Sequence, residues 1–215
     1  MEHCIGHDDV LRLVLQANAG TRTAEGFSVL HLAAMGGHAH VFPLLMERGA
    51  DDIHAVDSDG MTPIVYAAQY YHWEMVQLLV DRGADIHLAD KQYGRTALHY
   101  AAAGGHREMV HLLVDRGADI HLADTGFGRT ALHYAAEGGH LAVVQLLVDG
   151  GADIHLADTR RGWTALHCAA EGGHREVVQL LVDRGADIHA VDKNRKTALN
   201  LANSNGRTNV IQLLQ

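Results

Sequence analysis

Histidine is the first residue type to consider for metal binding or catalysis, because the chain of 215 residues contains 18 of them. Most fall into three series with a regular spacing: His31, His99, His133 and His167; His38, His72, His106, His140 and His174; and His54, His87, His121, His155 and His189. A zinc site needs several ring nitrogens about 2.0–2.1 Å from one ion. Members of a series recur once per stacked unit, roughly 8–10 Å apart, which is too far to share an ion. The spacing therefore predicts structural histidines and no metal site.

Nucleophilic catalysis by Cys168 beside His167 is a second possible chemistry. Adjacent helical residues point about 100° apart, and Tyr100 and Tyr134 occupy the positions equivalent to Cys168. We therefore expect Cys168 to be a packing variant. The motifs HExxH, GxSxG, GxGxxG and the P-loop are absent from the sequence. The prediction is a protein that is not an enzyme and needs no cofactor.

Composition limits which kinds of partner and which cellular compartment we expect for this protein. The formal net charge of −9 argues against a general nucleic-acid surface. No apolar run approaches the roughly 20 residues that span a bilayer, and the N-terminus MEHCIGHDDV lacks the pattern of a signal peptide. The two cysteines are far apart and form no CxxC pair, which is typical of a reducing compartment. We expect a cytoplasmic monomer, with the nucleus or delivery into a host cell left open.

The elements that must position these side chains are copies of one unit. A serine or threonine marks each copy, at intervals of 34, 34, 34, 34 and 33 residues: Ser28, Thr62, Thr96, Thr130, Thr164 and Thr197. Self-similarity at such a period is the signature of a stacked repeat architecture. We predict one domain over residues 1–215. It comprises an N-terminal half-repeat cap (1–22), repeats 1 to 5 (23–56, 57–89, 90–123, 124–157 and 158–191) and a C-terminal capping repeat 6 (192–215).

Repeat 3 shows the expected local structure. Thr96 can cap a first helix from Ala97 to about Ala103, which the pair Gly104-Gly105 then ends. A second helix is predicted from about Arg107 to Arg116. Helices this short are marginal alone in water, so their apolar positions must be buried between neighbouring repeats. Those positions are Leu98, Ala101, Ala102, Val110, Leu112 and Leu113.

The pattern resembles the ankyrin repeat. Three motifs carry the resemblance: TALH at Thr96–His99, AAxxGH at Ala101–His106 and LLVDRGADI at Leu112–Ile120. The resemblance implies an all-α solenoid of stacked antiparallel helix pairs with projecting β-hairpin-like fingers. It also implies a non-catalytic protein–protein interaction scaffold that binds through its fingers and concave inner-helix face. Two departures are evident. Fingers 3, 4 and 5, which begin at Asp90, Asp124 and Asp158, are one residue longer than usual, and histidine replaces the usual asparagine in ADIH.

Differences between the copies concentrate at the finger tips, as a binding row would show. Early tips are acidic, whereas later tips are basic, with aromatic residues in between. Aromatic and arginine residues are the usual composition of interface hot spots, so we expect an acidic or aromatic segment of a partner protein there. Neither nucleic acid nor a membrane is expected as partner. The predicted contact residues are Phe27, Met61, Gln69, Tyr70, Tyr93, Arg95, Phe127, Arg129, Arg160, Arg161, Trp163 and Arg195.

Repeat 2 departs most from the pattern, since Tyr70-Tyr71 replace the glycine pair and Val65 replaces the histidine of TALH. Tyr71 falls where a positive φ is expected, so strain or a different turn is predicted. Gln69 and Tyr70 fall at inner-helix positions, where with Met35 they can form an apolar patch on the concave side. Local sequence drift, with packing by Trp73, is the other interpretation of this repeat. An alternative function follows, namely an enzyme or small-ligand-binding protein with a concave pocket around Tyr70, Tyr71 and neighbouring histidines.

Overall fold

Pairs of short helices joined by tight turns build the protein. The computed structural model describes residues 22–50 and 52–215, so the predicted half-repeat cap before residue 22 lies outside the described residues. The chain divides into two compact units, the first ending at Ala97 and the second beginning at Leu98. Within the described ranges every helix belongs to a repeat and no β-strand is present. The predicted all-α architecture is confirmed.

In the first unit, the helices of repeats 1 and 2 are Val29–Met35, Phe42–Glu47, Pro63–Gln69 and Trp73–Asp81, with a 3-10 turn at Ala39–Val41. The first helices of these two repeats pack against each other. Leu30, Leu45 and Leu79 are fully buried in this layer. None of the helices described is long and apolar enough to cross a membrane.

The helix Ala97–Ala103 begins at the last residue of the first unit and continues into the second. The second unit then contains Arg107–Asp115, Ala131–Glu137, Leu141–Asp149, Ala165–Gly172, Arg175–Asp183, Ala198–Ser204 and Thr208–Ile211. First helices pack on first helices, and second helices pack on second helices. The predicted core is right except at Leu112, which is only half-buried, whereas Leu113 is fully buried.

Histidine caps the first helices of repeats 1, 4 and 5. The backbone N–H of Thr130 donates to Nδ1 of His133 over 3.2 Å, and Nε2 of the same ring lies 3.0 Å from the carbonyl of Trp163 in the next repeat. His31 and His167 make the same two contacts. In repeat 6, Asn200 takes the place of the histidine, and its Oδ1 accepts the N–H of Thr197 at 2.9 Å. In repeats 1, 4 and 5 this series therefore ties the start of the first helix to the following repeat.

The histidines of the second series contact the preceding repeat, whereas those of the first series contact the following one. Nε2 of His140 lies 2.9 Å from the carbonyl of Ala103, and Nε2 of His174 lies 2.9 Å from that of Glu137. A Cβ placed on Gly105 would come within 2.4 Å of the His140 ring. The glycine pair is thus needed both for a positive φ and for the approach of this ring. These contacts are the structural role that the sequence predicts for the series.

Candidate partner-binding surface

Fingers 2 to 6 are each closed by the aspartate at their base. In finger 5, Oδ1 of Asp158 accepts the backbone N–H groups of Arg161 at 2.6 Å and Gly162 at 2.9 Å. The backbone N–H of Asp158 donates to the carbonyl of Trp163 at 2.7 Å, which closes the loop as a hairpin would. Burial alone would raise the pKa of Asp158, but the backbone N–H groups of Arg161 and Trp163 and the Arg129 guanidinium hold that pKa below its ordinary value. The tips are therefore preformed rather than free loops.

Neighbouring fingers are joined by backbone hydrogen bonds. In the first unit, the N–H of Ser58 donates to the carbonyl of Glu25 at 3.1 Å, and that of Lys91 donates to Asp59 at 2.8 Å. In the second unit, Thr159 donates to Phe127 at 2.8 Å and Lys193 donates to Arg161 at 2.9 Å. Within each unit the tips therefore have a fixed spacing.

The second carboxylate oxygen of the aspartate at the base of the finger accepts a hydrogen bond from a side chain, and the donor differs between fingers. Oδ2 of Asp57 accepts a hydrogen bond from the hydroxyl of Tyr66 at 2.6 Å, and Oδ2 of Asp124 accepts one from the hydroxyl of Tyr134. The residue equivalent to these tyrosines is Cys168 in repeat 5 and Leu201 in repeat 6, and neither side chain can donate in the same way. The residue that follows the finger glycine in the preceding repeat supplies the donor instead.

Arg129 and Trp163 are those substitute donors. Arg129 donates from Nε to Oδ2 of Asp158 at 3.2 Å and from Nη1 to both carboxylate oxygens of Glu137 at 2.9 Å. Trp163 donates from Nε1 to Oδ2 of Asp192 at 3.1 Å. A buried aspartate and a buried donor thus lock each of these fingers to the next.

Three of the predicted contact residues consequently lie in the interior. Met61 and Arg129 are each 7% exposed, and Trp163 is 5% exposed. All three follow the positive-φ glycine of their finger, which turns the next side chain back toward the helices. The prediction that all three lie at the surface is wrong, because residues of the finger tips look alike in the sequence. Their position immediately before the capping threonine was the available signal.

The second unit exposes a set of stacked arginines at its tips. The Arg160 guanidinium lies 5.0 Å from the centre of the Phe127 ring, and that of Arg161 lies 4.5 Å from Trp163. Both arginines and Arg195 are exposed, whereas Phe127 is half-buried. Arg195 has a φ of 61° at the place where the other fingers have glycine.

The first unit contains the other predicted contact residues. Arg95 stacks on Tyr93 at 4.6 Å, and both side chains are half-buried. Gln69 is exposed, and Tyr70 and Tyr71 are 49% and 47% exposed. The predicted strain at Tyr71 is present, since its φ is 61°.

The groups considered for catalysis are engaged elsewhere. Burial raises the pKa of the Cys168 thiol to about 12, so it is not a nucleophile near neutral pH. His72 is tilted by 34° against Tyr70 with ring centres 6.4 Å apart, and its Nε2 lies 2.9 Å from the carbonyl of Met35. Among the described residues, no group of three or more histidine, cysteine or acidic side chains could hold a metal ion.

The comparisons with known proteins agree with this architecture. A family model described as ankyrin repeats (three copies) matches residues 3–90, 51–124, 84–158, 118–192 and 151–215, which together span nearly the whole chain. A search of curated proteins gave no match.

Proposed function

The chain belongs to the ankyrin repeat family, and from that premise we propose a non-catalytic binding protein whose partner lays an acidic segment on the tips of fingers 5 and 6. Ankyrin repeats are generally protein–protein interaction modules. The proposed contacts in the second unit are Phe127, Arg160, Arg161 and Arg195, and those in the first unit are Phe27, Gln69, Tyr70, Tyr93 and Arg95.

The charge balance of fingers 5 and 6 is the observation that carries the proposal. Residues 158–164 and 192–197 contain five cationic side chains: Arg160, Arg161, Lys193, Arg195 and Lys196. Their only carboxylates, Asp158 and Asp192, are buried and hydrogen-bonded within the fingers. The exposed surface of these two tips is therefore cationic, and a carboxylate-bearing partner complements it.

Stacking on rings gives this surface a preferred geometry. Arg160 and Arg161 rest against Phe127 and Trp163, which restricts their side chains before a partner arrives. A guanidinium ordered in this way binds a carboxylate through two parallel hydrogen bonds at a lower entropic cost. Arg129 and Trp163 contribute from inside, because they hold the fingers in place.

The experiment compares two matched charge reversals in the full chain. R160E/R161E changes the proposed surface, whereas R107E/R116E makes the same change in charge on the exposed side of the repeat 3 second helix and its end. The probes are fluorescent glycine–glutamate and glycine–glutamine peptides of equal length. We expect the glutamate peptide to bind the native protein and R107E/R116E, to lose affinity for R160E/R161E, and to weaken with rising salt.

Equal affinity of the glutamate and glutamine peptides for the native protein would contradict the proposal. So would an equal loss of binding in the two charge-reversal variants, because it would show an effect of net charge alone. Circular dichroism melting of each variant separates loss of binding from loss of fold.

A further inference from the structure

The backbone of fingers 4, 5 and 6 forms one uninterrupted ladder of hydrogen bonds in the second unit. Within each finger, the N–H of the basal aspartate donates to the carbonyl of the residue before the capping threonine, in the pairs Asp124–Arg129, Asp158–Trp163 and Asp192–Lys196. Between fingers, the N–H of Thr159 donates to Phe127 and that of Lys193 donates to Arg161. Bonds inside a finger therefore alternate with bonds to the next finger along the whole ladder.

This ladder sets the distance from one finger to the next. Each finger contributes two chain segments, one outgoing and one returning. Neighbouring segments in such a ladder lie about 4.8 Å apart, so two steps amount to about 9.6 Å per finger. The helix layers behind the fingers are roughly 8–10 Å apart, which agrees with this value. Equivalent backbone positions of fingers 5 and 6 are therefore separated by about 9.6 Å.

The cationic side chains of fingers 5 and 6 are held against the ladder. Arg160 of finger 5 rests on the ring of Phe127 in finger 4, and the ammonium group of Lys193 in finger 6 donates to the carbonyl of Thr159 in finger 5. Both side chains thus lean on the preceding finger. Residues 125–128, at the tip of finger 4, contain no charged side chain. The cationic part of the ladder is therefore two fingers long.

A partner segment that runs along the ladder must present one carboxylate per finger. A polyproline II helix makes one turn in three residues and advances about 9.3 Å per turn, so every third side chain faces the same way at nearly the finger spacing. Side chains on one face of a β-strand recur at about 6.6 Å and 13 Å, and neither distance matches. An α-helix comes close only at every seventh residue, after about 10.5 Å. Polyproline II is therefore the regular conformation that fits best.

We propose that the tips of fingers 5 and 6 bind a polyproline II segment of a partner protein that carries an acidic residue at every third position. The inference rests on the function proposed above and specifies the conformation and charge spacing of the acidic segment. One carboxylate pairs with Arg160 or Arg161 of finger 5, and the next pairs with Lys193 or Arg195 of finger 6. A proline-rich segment is already extended in this conformation, so it loses little conformational entropy when it binds.

A spacing scan on the full chain tests the proposal. Three proline peptides of equal length each contain two glutamates, at positions i and i+2, i and i+3, or i and i+4. Each competes with the fluorescent glycine–glutamate peptide for the native protein. The i, i+3 peptide should compete roughly three- to tenfold better than the other two, because only there do both carboxylates reach a cationic finger at once. A helix-forming alanine–glutamine peptide with glutamates at i and i+7 represents the helical alternative and should compete less well.

Variants of one finger check that the spacing preference arises from the two fingers acting together. K193Q/R195Q removes two cations from finger 6 and leaves finger 5 intact. This variant should bind all three proline peptides with similar affinity, because a second carboxylate then has little to pair with. R107E/R116E, outside the fingers, should retain the preference for i, i+3. Circular dichroism melting confirms that each variant is folded.

The inference is overturned if the i, i+2 or i, i+4 peptide competes as well as the i, i+3 peptide. It is also overturned if the helical peptide competes better, or if K193Q/R195Q keeps the native spacing preference. When the fluorescent glutamate peptide binds in a manner that R160E/R161E abolishes but spacing has no effect, only this inference is wrong. When the fluorescent peptide fails to bind the native protein, the proposed function itself is wrong and the inference falls with it.

Discussion

Arg129 donates from Nε to Oδ2 of Asp158, 3.2 Å away. In repeat 4 the equivalent oxygen, Oδ2 of Asp124, accepts a hydrogen bond from the hydroxyl of Tyr134 instead. The tyrosine position of repeat 5 holds Cys168, which is fully buried and cannot reach in the same way. The arginine therefore compensates for a change in the adjoining repeat. This pairing makes a finger residue part of the interior.

Arg129→Ala should destabilise the protein by about 3 kcal/mol, because it leaves the buried Asp158 and the adjacent Glu137 without their cation. Adding Cys168→Tyr should recover part of the loss, since the new hydroxyl can take the place that Tyr134 has in repeat 4. Urea unfolding measures both free energies. Exposed Arg161→Ala is the control and should change stability little. A double variant no more stable than Arg129→Ala would refute the compensation.

Stability should decrease as the pH falls below about 6.5. Burial, which outweighs the backbone hydrogen bonds, lowers the pKa values of His31, His133 and His167 in the folded protein. The unfolded chain then takes up protons more readily than the folded one, so their contribution is present above the unfolded pKa and is lost below it. Protonation of Nδ1 would also remove the acceptor of the helix-capping N–H group.

His133→Asn tests that cause. Asn200 shows that an amide oxygen can accept the capping N–H, and an amide does not titrate in this range. The variant should lose some stability at neutral pH, because it gives up the contact with the Trp163 carbonyl, and its melting temperature should depend less on pH. Exposed His121→Asn should keep the native pH dependence. An unchanged slope in His133→Asn would assign the acid sensitivity to other groups.

Tyr71→Gly should stabilise the protein by up to about 1 kcal/mol, because glycine relieves the positive φ but gains freedom in the unfolded chain. Tyr71→Ala retains the Cβ and therefore the strain. Chemical unfolding should rank the glycine variant above the alanine variant. The opposite order would show that the turn at Tyr71 is not strained.

Leu147→Ala should cost roughly 2–5 kcal/mol, as for other fully buried leucines. Its neighbour Leu146 is only half-buried, so Leu146→Ala should cost clearly less. The two variants have the same composition, which makes them a matched pair for thermal unfolding. Equal losses would mean that the repeat 4 core is arranged differently.

The sequence does not show which arginines of the finger tips are exposed and which are buried. The charges of Arg160, Arg161 and Arg129 look alike in the sequence, yet the first two are exposed and the third is buried. The difference comes from two residues: the glycine that separates the tip from the returning segment of the finger, and an aspartate 29 residues further along. Contacts between repeats are not visible in the pattern of a single repeat.

The sequence by itself determined the repeat, its helices and its turns, because these depend on local features: a capping threonine such as Thr130, a glycine such as Gly139 and short apolar runs. It also predicted the strain at Tyr71, since one glycine position can be compared with another. Only the tertiary structure decided which tip residues face solvent. Their direction depends on hydrogen-bond partners in the next repeat, and a buried carboxylate such as Asp158 takes whichever donor its neighbours can supply.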